Sequence, residues 1–453
     1  MENNEVTGII PVGDDNIEFV ANNFLFTFLS PSLYNPMVSD RVWQLVPDEQ
    51  GLLYGKTHSG HNIAIFCRTK LICLSTCKLK TWCYIISNGN VEPTSLAMFQ
   101  GLEFCGGTMT TLFPSKSLQG NFESIRKNKI VIDINPDDLN YKIDCENIKG
   151  NISLTSRITI SYPGMKGMVV SNGDACFELM LNQTEKIGEF SKYYNYIYTL
   201  CQFMSFRENI GFDKVSLLTK HEDISDESLW TSFATCYIRS DSNFTKKDDM
   251  RSITFRDIGD SVINLLETIS ANRENKPSYC INFLPENDDS LYKMSNSRVK
   301  NICSAIECEM DIAKINLQQD ENFTVLINEI KDLIKKHKNS NNSVNSKAYD
   351  FMFGSMRHWN QSLADRIYQT YCLYEKEMEA LNKNLNFQVK YEDIEKLVKY
   401  RNGITHGIYK VGDEDISWTA YVIMGLVYCC VLSRVGVEKE KRIEVMAQGI
   451  LLY

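Results

Sequence analysis

Apolar positions recur with two different periods along this chain, and the change of period divides it. Residues 1 to about 165 carry short apolar or alternating runs at 24–29, 62–67, 82–86, 129–134, 152–154 and 157–160. Turn-forming residues punctuate them, among them Pro31, Pro36, Ser59-Gly60 and Asn88-Gly89-Asn90, as strands require. This predicts an antiparallel sandwich or barrel-like module. No Gly-rich phosphate loop follows any of these runs, so nucleotide binding has no support here. From 185 to 206 the period becomes 3.6, with Ile187, Phe190, Tyr194, Ile197, Tyr198, Cys201 and Met204 on one face of a bridging helix. Residues 207–290 mix strand-like pieces at 214–218 and 233–238 with a helix near 258–269, completing the N-terminal part.

From about residue 290 every segment reads as helix. Residues 298–317 place Ile302, Ala305, Ile306, Glu309, Met310, Ala313 and Leu317 along one face. A second helix at 323–334 runs into Lys335, Lys336, His337 and Lys338, where positive charge suits a helix C-terminus. A polar loop at 339–343 follows, then helices within 351–381, from 391, at 417–435 and at 441–452. About five to seven helices in such a stretch form a bundle. The expected fold class is α+β: a β-rich module over 1–165, a mixed continuation over 166–289, and an all-α bundle over 290–453.

Composition sharpens this picture in three places. The chain has 453 residues, 43% hydrophobic and 23% charged, a length that favours more than one core. Its 15 cysteines are odd in number and irregularly spaced. That predicts reduced thiols in a cytoplasmic protein rather than a disulfide framework. Residues 1–16 hold neither a basic nor an apolar signal region, so no signal peptide is expected. The apolar run at 418–432 is short for a membrane span and predicts a buried helix, with no membrane partner. The net charge of −9 is uneven: residues 291–453 hold 22 Lys and Arg against 21 Asp and Glu, leaving 26 against 36 in residues 1–290. So acidic an N-terminal part is a poor constitutive binder of nucleic acid.

The chemistry concentrates at 391–407. Ile394, Leu397 and Val398 fall at i, i+3, i+4 on one apolar face, and one turn later that face meets Arg401. Gly403 and Gly407 are expected to interrupt the helix, at about 1 kcal/mol per glycine against alanine. Between them stands His406, the side chain suited to proton transfer near neutral pH. Five residues of straight helix turn Arg401 about 140° from His406, so bringing them together needs a kink at Gly403 or a second copy of the chain; both are expected. Asn402, four residues before His406, can reach the imidazole if the turn persists. Taken by themselves, these residues also fit a helix-capping Arg and a satisfied loop His.

The string Leu397-Val398-Lys399-Tyr400-Arg401-Asn402-Gly403-Ile404-Thr405-His406-Gly407 resembles the R-polar-x3-H signature of HEPN domains, helical bundles of which many are metal-independent ribonucleases. More narrowly, the C-terminal third is similar to the ApeA-like HEPN branch. The pieces at 54–65 and 99–104 resemble the β-rich region that precedes it in ApeA-type antiphage proteins. The resemblance implies an endoribonuclease of abortive infection with Arg401, His406 and Asn402 as its catalytic residues. His406 would act as acid or base on the ribose 2′-OH, Arg401 would hold the scissile phosphate, and Asn402 would orient one of them. It implies no cofactor and no metal. It also implies cellular RNA as substrate, with transfer RNA a candidate, a homodimer formed through the bundle, and a phage-encoded trigger protein. The other readings are a non-catalytic HEPN bundle that dimerises or binds RNA or nucleotide, and a nucleotidyl-transfer target or antitoxin-like partner.

Other residues offer less. His58 and His61 with Cys67, Cys73, Cys77 and Cys83 suggest a zinc site, but their spacings lack the paired C-x2-C of most structural sites, and strand packing explains them better. Arg357, His358 and Trp359 form a basic and aromatic group suited to stacking on RNA, or to a core position. His221 and His337 lie among charged neighbours and read as solvated. Glu307 and Glu309 read as exposed or as partners for an arginine rather than as catalytic carboxylates.

Overall fold

In the computed structural model, residues 5–29, 43–73, 76–89, 96–114, 138–161, 169–220, 230–239, 252–275, 280–286, 290, 293–313, 321–340, 345–356, 362–407 and 414–448 are described. The protein is α+β, with a β-rich N-terminal region followed by an all-helical region. It divides into two compact units, one of Met1–Ser205, Asn209–Arg256 and Leu266–Ala271, the other of Phe206–Glu208, Asp257–Leu265 and Asn272–Tyr453.

The first unit is built on strands β1 (Val6–Val12), β2 (Asp15–Asn22), β3 (Leu25–Leu29), β4 (Trp43–Leu45), β5 (Leu52–Thr57), β6 (Asn62–Phe66), β7 (Leu71–Cys73), β8 (Thr76–Lys80), β9 (Cys83–Ser87) and β10 (Met98–Cys105). A short helix α1 (Thr108–Leu112) follows, then β11 (Leu139–Asp144), β12 (Lys149–Ser161), β13 (Val169–Lys186), helix α2 (Phe190–Ser205), β14 (Lys214–Lys220) and β15 (Trp230–Ile238). Thirteen strands form one sheet in the order β11-β12-β13-β10-β14-β15-β9-β6-β5-β1-β2-β3-β8, and β4 pairs with β7 apart from it. Among the described residues this order runs from β11 at one end to β8 at the other. Sandwich-like packing is local: Trp43, Leu45 and Cys73 of the small sheet join Ile17, Phe19, Phe26, Phe28, Ile63 and Ile65 in one buried cluster.

Local chemistry explains the registers. The β1–β2 hairpin turns at Gly13, whose φ of 62° suits the first position of a two-residue loop. The next hairpin turns at Asn23 and Phe24, both left-handed, and Phe24 is held there against the Tyr84 ring, 5.4 Å away. The run expected at 24–29 therefore becomes a strand only from Leu25. Strand β6 lies between β5 and β9 and is buried at every residue, which is why it reads as a continuous apolar run. The pieces expected at 152–154 and 157–160 are one strand, β12, irregular between Ser156 and Ile158. The run at 129–134 lies outside the described residues. Helix α2 lays Phe190 and Tyr194 onto Phe66 and Phe104 of the sheet and onto Trp82 in the connection from β8 to β9.

Cys105 and Cys176 are directly opposed on β10 and β13, with Cα atoms 4.2 Å apart, and are disulfide-bonded. This corrects the expectation that every thiol is reduced; the other 13 cysteines form no disulfide. The spacing rule failed because a cross-strand pair 71 residues apart depends on sheet register alone.

The helices are α3 (Phe255–Ile258), α4 (Ser261–Asn275), α5 (Asn296–Ile312), α6 (Glu321–Ser340), α7 (Ser346–Ser355), α8 (Leu363–Leu373), α9 (Glu375–Leu385), α10 (Tyr391–Thr405), α11 (Glu414–Arg434) and α12 (Lys439–Gln448). The helical stretch expected within 351–381 is cut into three. Ser362 starts α8 with a capping box, its Oγ accepting the Asp365 N–H while Asp365 accepts the Ser362 N–H.

Helix α11 is the centre of the second unit and packs against α5, α9, α10 and α12. By length and composition it is long and apolar enough to cross a membrane, and 78% of its most apolar window is buried inside the protein. A helix apolar all round is what the middle of a bundle requires. Two buried ion pairs tie its surroundings together. Glu309 of α5 takes Nε and Nη2 of Arg434 at 3.0 and 2.7 Å, and Glu377 of α9 takes both from Arg442 of α12 at 3.1 and 2.9 Å.

Candidate active site

Helix α10 positions the residues singled out by sequence. Its first turn is fixed by the Asp393 carboxylate, which accepts the Lys390 N–H at 3.0 Å. Tyr391 also donates its hydroxyl to Asp365 of α8 at 2.7 Å. Burial raises the Asp365 carboxyl, but hydrogen bonds from the Ser362 hydroxyl, the Tyr391 hydroxyl and the Ser362 N–H outweigh it and leave the group below its usual value. Ile394, Leu397 and Val398 are buried, as the apolar stripe predicts.

Arg401 extends that stripe by one turn. Its Nη2 lies 2.7 Å from Glu307 Oε2 on α5, and its Nη1 donates to Asn402 Oδ1 at 3.1 Å. Its Nε is buried and has no hydrogen-bond partner among the described residues. One turn before Glu307 on α5 is Cys303. Burial pushes this thiol up to about 12, with the Arg401 charge pulling it down and Glu307 pushing it up. Glu307 and Glu309 thus both serve an arginine.

Gly403 does not interrupt the helix. Residues 401–405 are helical throughout, and the chain turns only at Gly407, which takes a left-handed φ of 77°. The expected kink is corrected for a physical reason: the buried Ile394, Leu397 and Val398 upstream, with the hydrogen bond from Thr405 Oγ1 to Arg401 O at 2.9 Å, outweigh one glycine's propensity cost. His406 is therefore the capping residue, its N–H shared between the Asn402 and Gly403 carbonyls at 3.1 Å each. Its ring is exposed and makes no hydrogen bond among the described residues. The contact between Asn402 and the imidazole is not made, since Asn402 Oδ1 receives Arg401 instead.

The three residues thus share one helix end without converging. Arg401 and Asn402 form a pair backed by Glu307, while His406 caps the helix end, about 140° of helical rotation from Arg401. Within one chain the arrangement can hold an oxyanion at the guanidinium or exchange a proton at the imidazole. Doing both at one phosphate takes a second chain or a movement of the helix end.

The remaining candidates have separate surroundings. His58 Nδ1 shares a hydrogen bond with Thr7 Oγ1 at 3.0 Å, and Cys67 donates to the Thr69 carbonyl at 3.0 Å. Cys73 interacts with Cys77, and Cys83 with Cys236 across the β9–β15 pairing. Among the described residues the one close group of three metal-type ligands is Glu103, Cys105 and Cys176, and its two sulfurs are already bonded to each other. His337 shares a hydrogen bond with Tyr349 at 2.8 Å. His221 and residues 357–360 lie outside the described residues.

Two features lacked a signal that was read. Gly106 and Gly107 follow β10 with φ of 70° and 54°, and the Gly107 N–H donates to Asp213 Oδ2 at 2.7 Å. The adjacent glycines mark this left-handed corner. The Asp365 bond to Tyr391 has only the Ser362-x-x-Asp365 spacing as its trace. Comparison with protein-family models, curated proteins and solved structures finds no match to this chain.

Proposed function

We propose that this protein is a HEPN-type endoribonuclease that cleaves RNA by internal transfer. One observation carries the reading: an arginine on a buried helical stripe, oriented by Glu307 and Asn402, stands five residues before an exposed histidine at the end of the same helix. His406 takes the proton of a ribose 2′-OH, and the oxygen attacks the adjacent phosphorus. The bond to the 5′ oxygen breaks, that oxygen receives a proton, and a 2′,3′-cyclic phosphate and a 5′-hydroxyl result. The Arg401 guanidinium suits the charge that builds on the phosphate, since a planar fork of donors matches its oxygens. Because Arg401 and His406 diverge within one chain, the complete site is composed from two copies.

In the wider proposal the enzyme serves antiphage defence, its substrate is cellular RNA such as transfer RNA, and a phage-derived protein releases its restraint. The acidic excess in residues 1–290 supports restraint by disfavouring RNA. A second reading has a specific observation in its favour. The Arg401–Glu307 pair also serves as an ordinary interhelical clamp, so the bundle would bind partners or RNA without cleaving.

The test is cleavage of total RNA by the full chain, its His406→Ala variant and its Arg401→Ala variant, in cells challenged with phage and with purified protein. Cleavage by the wild type that both variants lose, leaving cyclic-phosphate ends and resisting chelator, is the expected result. Cleavage unchanged in His406→Ala, or no cleavage under challenge, overturns the nuclease reading.

A further inference from the structure

Helix α6 buries only one side chain, Ile327, in 20 residues, although it is strongly amphipathic. Phe323, Ile330 and Ile334 line up with Ile327 and are partly covered. Beside that covered line lies a second apolar shoulder left open to solvent: Leu326 is 47% exposed and Leu333 is 68% exposed. Leu326, Ile330, Leu333 and His337 are spaced 4, 3 and 4 residues apart, the alternation of a coiled-coil seam. Outside the seam, at the flanking position of successive heptads, stand Glu329 and Lys336. Both are exposed, and neither has an ion-pair partner among the described residues, whereas Lys335 pairs with Asp332 and Lys338 with Asp350.

We infer that this shoulder of α6 docks antiparallel on the same shoulder of a second copy of the chain. The charge pattern selects that occupant. In an antiparallel pair the outer flanking positions of the two helices meet each other. Setting Ile330 against the partner's Leu333, and Leu326 against the partner's His337, brings Glu329 beside the partner's Lys336. The two-fold axis repeats every contact, so both unpaired charges are matched twice. A parallel pair would instead set Glu329 beside the partner's Ile334 and match neither. The helix is self-complementary in one register and one orientation, which is what an isologous interface requires. The docking is argued from this helix alone; a monomeric wild type would overturn it together with the two-copy ribonuclease site, whereas a dimer that cleaves RNA but ignores the leucine changes would overturn the docking only.

The experiment measures self-association of the full chain by sedimentation velocity over a range of concentrations. The wild type is expected to form a dimer that Leu326→Glu with Leu333→Glu abolishes; both leucines are exposed, so the variant keeps its fold and its thermal melt. Glu329→Lys alone and Lys336→Glu alone are each expected to weaken the dimer about tenfold, through like charges meeting twice. The double variant carrying both exchanges restores it. A wild type that stays monomeric at every concentration overturns the inference and leaves the shoulder to a different partner. So does a dimer insensitive to the leucine changes, or a double variant no better than the two single ones.

Discussion

Glu307 of α5 and Arg401 of α10, 94 residues apart in sequence, meet through a carboxylate-to-guanidinium contact of 2.7 Å. Their side chains are only 33% and 24% exposed, so neither is a free surface charge. The pair joins the helix that carries His406 to the helix that carries the buried Glu309.

Among the described residues, replacing Glu307 with alanine leaves the Arg401 side chain with Asn402 as its one hydrogen-bond partner and a buried Nε still unpaired. The expected loss of stability is about 1 kcal/mol, since the pair keeps partial solvent screening. Denaturant unfolding checks it. A double-mutant cycle with Arg401→Ala should return a coupling of similar size, and a coupling near zero would show that the contact is incidental.

Glu309 is fully buried against Arg434. Its replacement by alanine removes the carboxylate that holds both Nε and Nη2 of Arg434, a side chain only 21% exposed, and about 3 kcal/mol of destabilisation is expected. Asp332→Ala, which breaks the exposed pair with Lys335, is expected to change stability by less than about 0.5 kcal/mol. Equal effects at the two sites would contradict the burial argument.

Asp365 supplies a pH test with a definite sign. Its carboxyl is held below the ordinary value in the folded chain, so the unfolded chain takes up its proton first as the pH falls. Its stabilising contribution is therefore present above the ordinary aspartate range, near about pH 4, and is lost as pH drops through the folded value. Tyr391→Phe removes one of the hydrogen bonds that lower it. The acid limb of the stability curve should become shallower in that variant, with stability near neutral pH reduced by the lost bond. An unchanged acid limb would show that the bond does not favour the carboxylate.

Gly107 tests the corner after β10. A Cβ there would clash with the Gly211 carbonyl oxygen, at a φ of 54° that disfavours side chains. Gly107→Ala is expected to cost about 2 kcal/mol or more through that clash and strain together. Gly13→Ala meets nothing within 4 Å and carries only the backbone cost, so it should be the milder change. Thermal melts of the two variants give the comparison.

Thiol chemistry gives the last prediction. Titration of the denatured, unreduced chain should find 13 thiols, rising to all 15 after reduction. Reduction of Cys105–Cys176 opens a covalent loop whose ends lie 71 residues apart. By chain entropy alone this costs up to about 4 kcal/mol. A count of 15 before reduction would remove the bond.

Local pattern determined much of this protein. The change from short alternating runs to a 3.6-residue period separates the sheet from the helices, because each period follows from backbone geometry. The apolar run at 418–432 was readable as a buried helix, and Arg401 as the residue continuing the Ile394, Leu397 and Val398 stripe. What the tertiary structure alone decided are pairings between distant segments. Leu25, not Phe24, begins β3 because Asn23 and Phe24 both take left-handed φ in the turn, where Phe24 packs on the distant Tyr84 ring. Cys105 finds Cys176 through the β10–β13 register, and Arg401 finds Glu307 through the packing of α10 on α5. Gly403 stays helical although its local propensity argues for a break. The cost of one glycine is about 1 kcal/mol, and the burial of three large side chains on the same helix is worth more. A single chain therefore keeps Arg401 and His406 apart, and that is a fact of packing which their spacing left open.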